Sequence, residues 1–234
     1  MKIICRVPSR IGLGGGGTDI SDYFNIHGGA VLNCTINQYV YCTISSKSRG
    51  IYCESVDKNI IENSKTESKK LILHWAAIKY FKESFNLKLH NIRLTTYTDI
   101  PEGSGLGTSS SIVVSIVKCI SEYANLALDK SQIVSAAYNI ERVICNLNGG
   151  FQDYISATFG GINFTEFFDQ NEYLVHPLKI SKINKSIFES QATLIFSGLS
   201  RASSKIISDQ QKSVDNKSKL LHMHKVRDSS YSLK

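Results

Sequence analysis

The chain has 234 residues, 42% of them hydrophobic and 20% charged, and a formal net charge of +7. This length buries a substantial core as one or two domains, and the absence of a long apolar run excludes a transmembrane helix. Six cysteines without C-x-x-C spacing indicate reduced thiols in a cytoplasmic protein, and the scattered lysines favour anionic small molecules, or only a solvated surface, over nucleic acid.

The residue pattern predicts an α/β chain. Residues rich in Val, Ile, Thr and Tyr predict strands at 2–7, 30–44 and 50–54, and residues 55–70 are predicted to form a polar loop. The later elements are a helix at 71–85, a strand at 91–98, helices at 112–124, 131–147 and 151–158, strands at 161–167 and 192–199, and helices at 201–213 and 217–231.

Residues 101–111, Pro-Glu-Gly-Ser-Gly-Leu-Gly-Thr-Ser-Ser-Ser, form the most informative segment. Three glycines within five residues let the backbone approach a ligand closely, and four hydroxyl groups stand where a helix begins. The free N–H groups and the positive dipole end of a helix bind anions. The segment therefore predicts a phosphate loop, with a flexible turn and an ordinary helix cap as the alternative.

Another glycine cluster, the first in chain order, occupies residues 8–19, Pro-Ser-Arg-Ile-Gly-Leu-Gly-Gly-Gly-Gly-Thr-Asp. Together the two clusters resemble the first and second motifs of the GHMP small-molecule kinases. The form Gly-Gly-Gly-Thr-Asp at 15–19, followed by His-Gly-Gly-Ala-Val-Leu at 27–32, is most similar to the D-glycero-D-manno-heptose 7-phosphate kinase branch. The resemblance continues through segments 149–163 and 196–203.

The resemblance implies a two-domain α/β (α+β) architecture, with an N-terminal ATP-binding domain at 1–175 and an incomplete C-terminal domain at 176–234. It also implies transfer of the γ-phosphoryl group of ATP, with Mg²⁺, to a sugar phosphate. The implied acceptor is the anomeric hydroxyl of D-glycero-D-manno-heptose 7-phosphate, in bacterial carbohydrate metabolism. Another sugar kinase of this family and a catalytically inactive truncated binding protein remain the alternatives.

The resemblance places the nucleotide in the segment 101–111, the second glycine loop in chain order, where backbone N–H groups and hydroxyls would meet the phosphates of ATP. It assigns to Ser109 a hydroxyl ligand of magnesium. The residues implied in ATP binding are Pro101, Gly103, Gly105, Leu106, Gly107, Thr108, Ser109 and Ser110.

Two carboxylates match family positions. Glu141 lies near the edge of the apolar stripe of the helix 131–147, where a carboxylate is costly unless it is paired or bound to a metal. The alternative is a partly exposed helix residue paired with Arg142 or with a more distant base. Asp153 opens the next helix, where an aspartate also stabilises the helix dipole without any function. The resemblance implies that Glu141 binds magnesium with Ser109, and that Asp153 orients or deprotonates the acceptor hydroxyl.

Arg10 and Asp19 flank the first glycine cluster, where the resemblance places the acceptor. Arg10 would neutralise charge as a catalytic residue, whereas an ion pair or a turn contact is the alternative for both residues. Arg201 is a further candidate for contact with a substrate phosphate, with a structural role favoured. The residues implied in substrate binding are Gly16, Gly17, Thr18 and Asp19.

The C-terminal part departs from the family pattern, because no third glycine-rich motif follows residue 211. The helix predicted at 217–231 carries an incomplete apolar face. An apolar surface left exposed there predicts self-association or poor solubility, together with low or absent catalysis.

Overall fold

A computed structural model describes residues 1–46, 49–65, 69–101, 103–193, 195 and 217–234. Within these residues, seven strands form one mixed sheet. The strands are β1 Lys2–Gly14, β2 Gly29–Ser45, β3 Tyr52–Ser55, β4 Ile60–Asn63, β5 Arg93–Thr98, β6 Ile162–Phe167 and β7 Tyr173–Pro177.

Helices connect and cover these strands. The described α-helices are α1 Ser21–His27, α2 Ile72–Ser84, α3 Thr108–Tyr123, α4 Lys130–Tyr138, α5 Gln152–Phe159, α6 Lys182–Gln191 and α7 Lys217–Leu233. A π-helical turn, Asn139–Ile144, continues α4 directly, and short 3-10 helices lie at Lys69–Leu71 and Asp169–Asn171. No helix in the described ranges has the length and apolarity needed to cross a membrane.

The long strand β2 organises the sheet. Its partners are β1 along most of its length, β6 over Gly29–Cys34 and β5 over Val40–Ser45, all antiparallel. The neighbours follow the order β4-β3-β5-β2-β6-β7, with β3 parallel to β5. Register shifts bend β1 between Pro8 and Arg10 and between Gly12 and Gly14, at the glycine-rich segment.

Alternate residues of β2 face two different apolar clusters, because side chains of a strand point to opposite faces of a sheet. Val31 joins the main core, which includes the buried faces of α2, α3, α4 and α5. Ala30 and Leu32 form a smaller cluster with Phe164 of β6. The ring of Tyr231 in α7 lies 5.1 Å from that of Phe164, so the C-terminal part of α7 contacts the smaller cluster, whereas Leu220 and Met223 of the same helix pack against the main core.

The α/β fold class is confirmed, as are the predicted strands at 30–44, 50–54, 91–98 and 161–167 and the helices at 71–85, 112–124, 151–158 and 217–231, within a few residues of their ends. The strand predicted at 2–7 is confirmed as well, but β1 continues beyond it to Gly14. The loop predicted at 55–70 is wrong in part, since it contains β4. The continuous helix predicted at 131–147 is also wrong in part, since it changes to π-helix at residue 139.

Besides β4, the strands and α-helices that were not predicted are α1, β7 and α6. The domain division after residue 175 stays a prediction, and that position lies within β7, which pairs with β6. The strand predicted at 192–199 falls largely outside the described residues, and the helix predicted at 201–213 falls outside them entirely. Arg201 lies in the same undescribed part of the chain.

Candidate active site

The second glycine loop connects β5 to α3 through three glycines in the left-handed region. Gly103, Gly105 and Gly107 have φ values of 75°, 74° and 75°, a conformation that side chains with a Cβ rarely adopt. Gly107 directly precedes α3, whose first N–H groups have no acceptor within the helix. The loop therefore presents backbone donors and the positive end of a sixteen-residue helix.

Thr108 provides a hydroxyl in this first turn. Its Oγ1 atom is buried and has no hydrogen-bond partner among the described residues. A Cβ atom at Gly105, by contrast, would meet nothing within 4 Å, so one side of the loop is open. An open face beside an unpartnered donor fits a phosphate group.

Glu141 is buried, with 2% of its surface exposed, and its carboxylate accepts three hydroxyl hydrogen bonds. Ser109 donates to Oε1 at 2.7 Å, Ser110 donates to Oε2 at 2.9 Å, and Tyr154 donates to Oε2 at 2.7 Å. Burial and the neighbouring Glu141 charge raise the pKa of Tyr154 well above its ordinary value, so the phenol remains a donor. The π-helical turn lets Glu141 face α3 rather than solvent.

Ser109 Oγ and Glu141 Oε1 are hard oxygen donors of the kind that Mg²⁺ prefers. No group of three or more His, Cys, Asp or Glu side chains with metal-binding spacing occurs in the described ranges. Mg²⁺ commonly binds through one or two protein oxygens together with waters and substrate phosphates. The Ser109–Glu141 pair therefore fits a magnesium ion held jointly with a nucleotide.

Asp153 and Arg10 form an ion pair beside the same loop. Arg10 Nη2 lies 2.5 Å from Asp153 Oδ1, and Arg10 Nε donates to that oxygen at 2.6 Å. Arg10 also donates from Nη1 to the carbonyl of Gly105 at 2.9 Å and from its backbone N–H to Leu106 at 3.2 Å. A single arginine of β1 thus joins the glycine loop to Asp153.

Asp19 is buried, and Gln152 at the start of α5 connects it to this ion pair, because Gln152 directly precedes Asp153. Its Oδ2 accepts from the backbone N–H of Gln152 at 2.9 Å, and its Oδ1 accepts from Gln152 Nε2 at 3.1 Å. Burial raises the pKa of Asp19, partly offset by the Gln152 N–H bond. The carboxylate thereby fixes the start of α5 and the position of Asp153, while its contact with a sugar stays a prediction.

The first glycine cluster is held by Thr18. The buried Thr18 hydroxyl donates toward the carbonyls of Gly15 at 2.8 Å and Ala30 at 3.0 Å. Gly15 has φ 78° and packs against the Ala30 backbone with no room for a Cβ atom, whereas Gly16 has nothing within 4 Å of that position. Thr18 thus shapes the turn, and Gly16 is the open point of the cluster.

The structure brings residues 105–110 of the loop together with Glu141, Asp153 and Arg10, and it joins Asp19 to them through Gln152. Sequence reasoning missed Tyr154 and Gln152. Both flank Asp153 directly, which was the signal available in the sequence. The hydrogen-bond partner of Gln152, Asp19, lies 133 residues away along the chain, and that of Tyr154, Glu141, lies 13 residues away on another helical segment. The functional roles assigned to these residues stay predictions.

Comparison with known proteins supplies the family. Residues 72–161 match the model of the GHMP kinases N terminal domain. Over its whole length the chain is 35% identical to a D-glycero-alpha-D-manno-heptose 7-phosphate kinase of Campylobacter jejuni, of which it covers 71%. The chain belongs to the GHMP kinase family. The family prediction is therefore confirmed.

Solved structures of GHMP kinases agree with this assignment. The crystal structure of a D-glycero-D-manno-heptose 1-phosphate kinase from Bacteroides thetaiotaomicron matches with a TM-score of 0.79 and 34% identity, over 95% of this chain and 74% of that chain. Streptococcus pneumoniae phosphomevalonate kinase, solved with phosphomevalonate and AMPPNP, matches with a TM-score of 0.77 over 99% of this chain and 72% of that one. At 14% identity, the second match shows the fold alone.

Proposed function

We propose that this GHMP kinase transfers the γ-phosphoryl group of ATP to a hydroxyl group of a sugar phosphate. One observation carries the proposal: the start of α3 touches both carboxylates. Gly107 packs against the Asp153 carboxyl group, and Ser109, two residues later, donates to Glu141. A phosphate bound at this helix end therefore meets a candidate metal ligand and a candidate base at once.

The glycine loop from Pro101 to Ser110 would hold the triphosphate. Its left-handed glycines expose the backbone, and the N-terminus of α3 supplies donors that need no rearrangement on binding. Thr108 Oγ1, buried without a partner in the described ranges, adds a hydroxyl donor. Phosphoryl transfer depends on such positioning and charge stabilisation more than on covalent chemistry.

Ser109 and Glu141 would hold Mg²⁺. Magnesium, when bound, neutralises the negative charge of the phosphates. The protein's part is to keep the two oxygens 2.7 Å apart and oriented, which Ser110 and Tyr154 assist through Glu141 Oε2.

Asp153 would orient the acceptor hydroxyl and accept its proton. Arg10 occupies Oδ1 of Asp153, and Oδ2 receives no hydrogen bond from the described residues, which leaves it for the hydroxyl. The Arg10 guanidinium keeps a positive charge between Asp153 and the carbonyl of Gly105. That charge would stabilise the negative charge on the transferring group.

We infer that the acceptor is D-glycero-D-manno-heptose 7-phosphate, reacting at its anomeric hydroxyl. The names of the two relatives with about a third identical residues support a heptose phosphate, since one is a 7-phosphate kinase and the other a 1-phosphate kinase. A net charge of +7 favours an anionic acceptor. A cytoplasmic reaction agrees with six cysteines that form no disulfide.

Release of ADP from ATP and Mg²⁺, measured by a coupled assay with heptose 7-phosphate, mannose 6-phosphate, galactose and no acceptor, tests the proposal. We expect the highest kcat/KM with heptose 7-phosphate. Faster turnover of galactose would contradict the assigned acceptor, and no acceptor-dependent ADP release would contradict the kinase proposal itself.

Self-association is a further part of the proposal. On α6, Ile183 is 72% exposed and Ile187 48% exposed, and on α7 Leu221 is 56% exposed. Exposed apolar surface of this kind favours association. Light scattering at increasing protein concentration tests it, and a constant monomer mass would contradict it.

A further inference from the structure

Two side-chain amide oxygens border the backbone of Gly12 in β1. A Cβ atom at residue 12 would lie 3.5 Å from Oδ1 of Asn33 and 4.0 Å from Oε1 of Gln152, and no other non-neighbouring atom would lie within 4 Å. The missing side chain of Gly12 therefore leaves a space with a hydrogen-bond acceptor on two sides.

Asn33 is the buried member of this pair. It lies on β2 directly opposite Gly12, with 2% of its surface exposed. Its Oδ1 atom is buried and accepts no hydrogen bond from the described residues. A buried hydrogen-bond acceptor without a donor destabilises the folded chain. The presence of such an acceptor at Asn33 therefore indicates a ligand or a water that donates to it.

The orientation of Gln152 follows from Asp19. The amide nitrogen of Gln152 faces the carboxyl group of Asp19 and donates to its Oδ1 at 3.1 Å. The carbonyl oxygen of the same amide then faces Gly12. Neither oxygen beside Gly12 is supplied with a donor by the described protein, so the space is suited to a group that donates.

The space at Gly12 and the proposed base Asp153 are bordered by neighbouring residues of β1 and α5. Gln152 directly precedes Asp153, and Arg10, the ion-pair partner of Asp153, stands two residues before Gly12. Consecutive Cα atoms lie about 3.8 Å apart, and the Gln152 amide beside Gly12 and the Asp153 carboxyl group both belong to the first turn of α5. A sugar whose reacting hydroxyl meets Asp153 would therefore bring a second hydroxyl to Gly12.

We propose that Asn33 Oδ1 and Gln152 Oε1 accept a hydrogen bond from a second, non-reacting hydroxyl group of the sugar phosphate, and so determine acceptor specificity. This inference rests on the proposed kinase function. A site built around a hydroxyl group rejects the analogue that lacks it, because its own polar groups are then left unpaired. The pair thus distinguishes sugars that differ at one hydroxyl.

A cycle of enzyme variants and deoxy substrates tests the inference. The parent chain and Asn33→Leu, a change of similar shape, are assayed for kcat/KM with heptose 7-phosphate and its monodeoxy analogues. For the parent, we expect kcat/KM to be about tenfold or more lower with one analogue than with the full substrate. For Asn33→Leu, we expect kcat/KM with the full substrate to fall by a similar factor, and removal of that hydroxyl to lower it little further. The KM for ATP should stay unchanged.

Asn163→Leu is the matched control. Asn163 lies opposite Asn33 on β6, and its Oδ1 is also buried without a partner in the described ranges, but it does not border Gly12. This variant should keep the parent's ratio of kcat/KM between full and deoxy substrates. Gln152→Met serves as a second test should Asn33→Leu fail to fold, with the same analogue expected to show the coupling.

If Asn33→Leu and Gln152→Met each lower kcat/KM by the same factor for the full substrate and for every analogue, the inference is overturned and Asn33 has a purely structural role. In that case a parent chain that still phosphorylates heptose 7-phosphate leaves the kinase proposal intact. A parent chain that phosphorylates no sugar phosphate would overturn the kinase proposal, and this inference with it.

Discussion

Gly107 packs directly against the carboxyl group of Asp153. A Cβ atom at residue 107 would lie 3.0 Å from Asp153 Cγ and 3.2 and 3.3 Å from its two oxygens, closer than a side chain normally tolerates. The same glycine directly precedes α3, at whose N-terminus the phosphates are proposed to bind. The separation between the proposed base and the bound nucleotide therefore depends on the absence of a side chain at residue 107.

Gly107→Ala is expected to lower kcat by about tenfold or more relative to Gly105→Ala. Both glycines have nearly the same φ, 75° and 74°, so both variants carry a similar backbone strain of about 1 kcal/mol. Only the residue 107 methyl group would press on Asp153, since Gly105 faces open space. Steady-state kinetics of both variants, with urea unfolding as a stability control, measure this; equal losses would contradict it.

Asp153→Asn is expected to lower kcat by about 10²–10⁴-fold with little change in the KM for ATP. The amide cannot accept the proton of the acceptor, and it weakens the ion pair with Arg10. Because the two residues act through one ion pair, Arg10→Gln combined with Asp153→Asn should lose less than the product of the single losses. Activity of Asp153→Asn within a few-fold of the parent would remove Asp153 from the mechanism.

Three consecutive serines provide a test of the magnesium site. Ser109 and Ser110 donate to Glu141, whereas Ser111 donates to the carbonyl of Pro8. Glu141→Gln and Ser109→Ala should raise the Mg²⁺ concentration for half-maximal activity by about tenfold or more, and Ser111→Ala should leave it near the parent value. A magnesium titration unchanged in Glu141→Gln would count against the metal role.

His74 predicts a pH dependence of stability. It is buried, its Nε2 lies 2.8 Å from Thr96 Oγ1, and burial lowers its pKa to about 4 from 6.5. Between these values the unfolded chain binds more protons than the folded chain. The contribution of His74 to the free energy of unfolding is therefore largest above pH 6.5 and decreases as the pH falls toward 4. The slope from this group is at most about 1.4 kcal/mol per pH unit.

Urea unfolding of the parent, His74→Leu and His90→Ala between pH 4.5 and 7.5 measures this contribution. His74→Leu should flatten the pH dependence, whereas His90→Ala, at an exposed position, should leave it unchanged. A parent and a His74→Leu variant with parallel curves would contradict the assignment.

The local sequence pattern was sufficient to predict the glycine loop and α3, because glycine conformation and helix periodicity depend on neighbouring residues. It was insufficient for α6, none of whose side chains is buried, and for β4 and β7, which are strands of four and five residues. Strands of four or five residues contain too few side chains for a clear apolar alternation. Their pairing within the sheet, rather than their composition, makes them regular.

The sequence by itself determined the family, the two glycine segments and the two carboxylates, since each has a local pattern. Only the tertiary structure decided what those carboxylates touch. Glu141 meets Ser109 thirty-two residues away, and Asp153 meets Arg10 across 143 residues. Likewise, Asn33 and Gln152 converge on Gly12 only because β1, β2 and α5 pack together. Such contacts arise from strand register and helix packing over long chain separations, which no local spacing encodes.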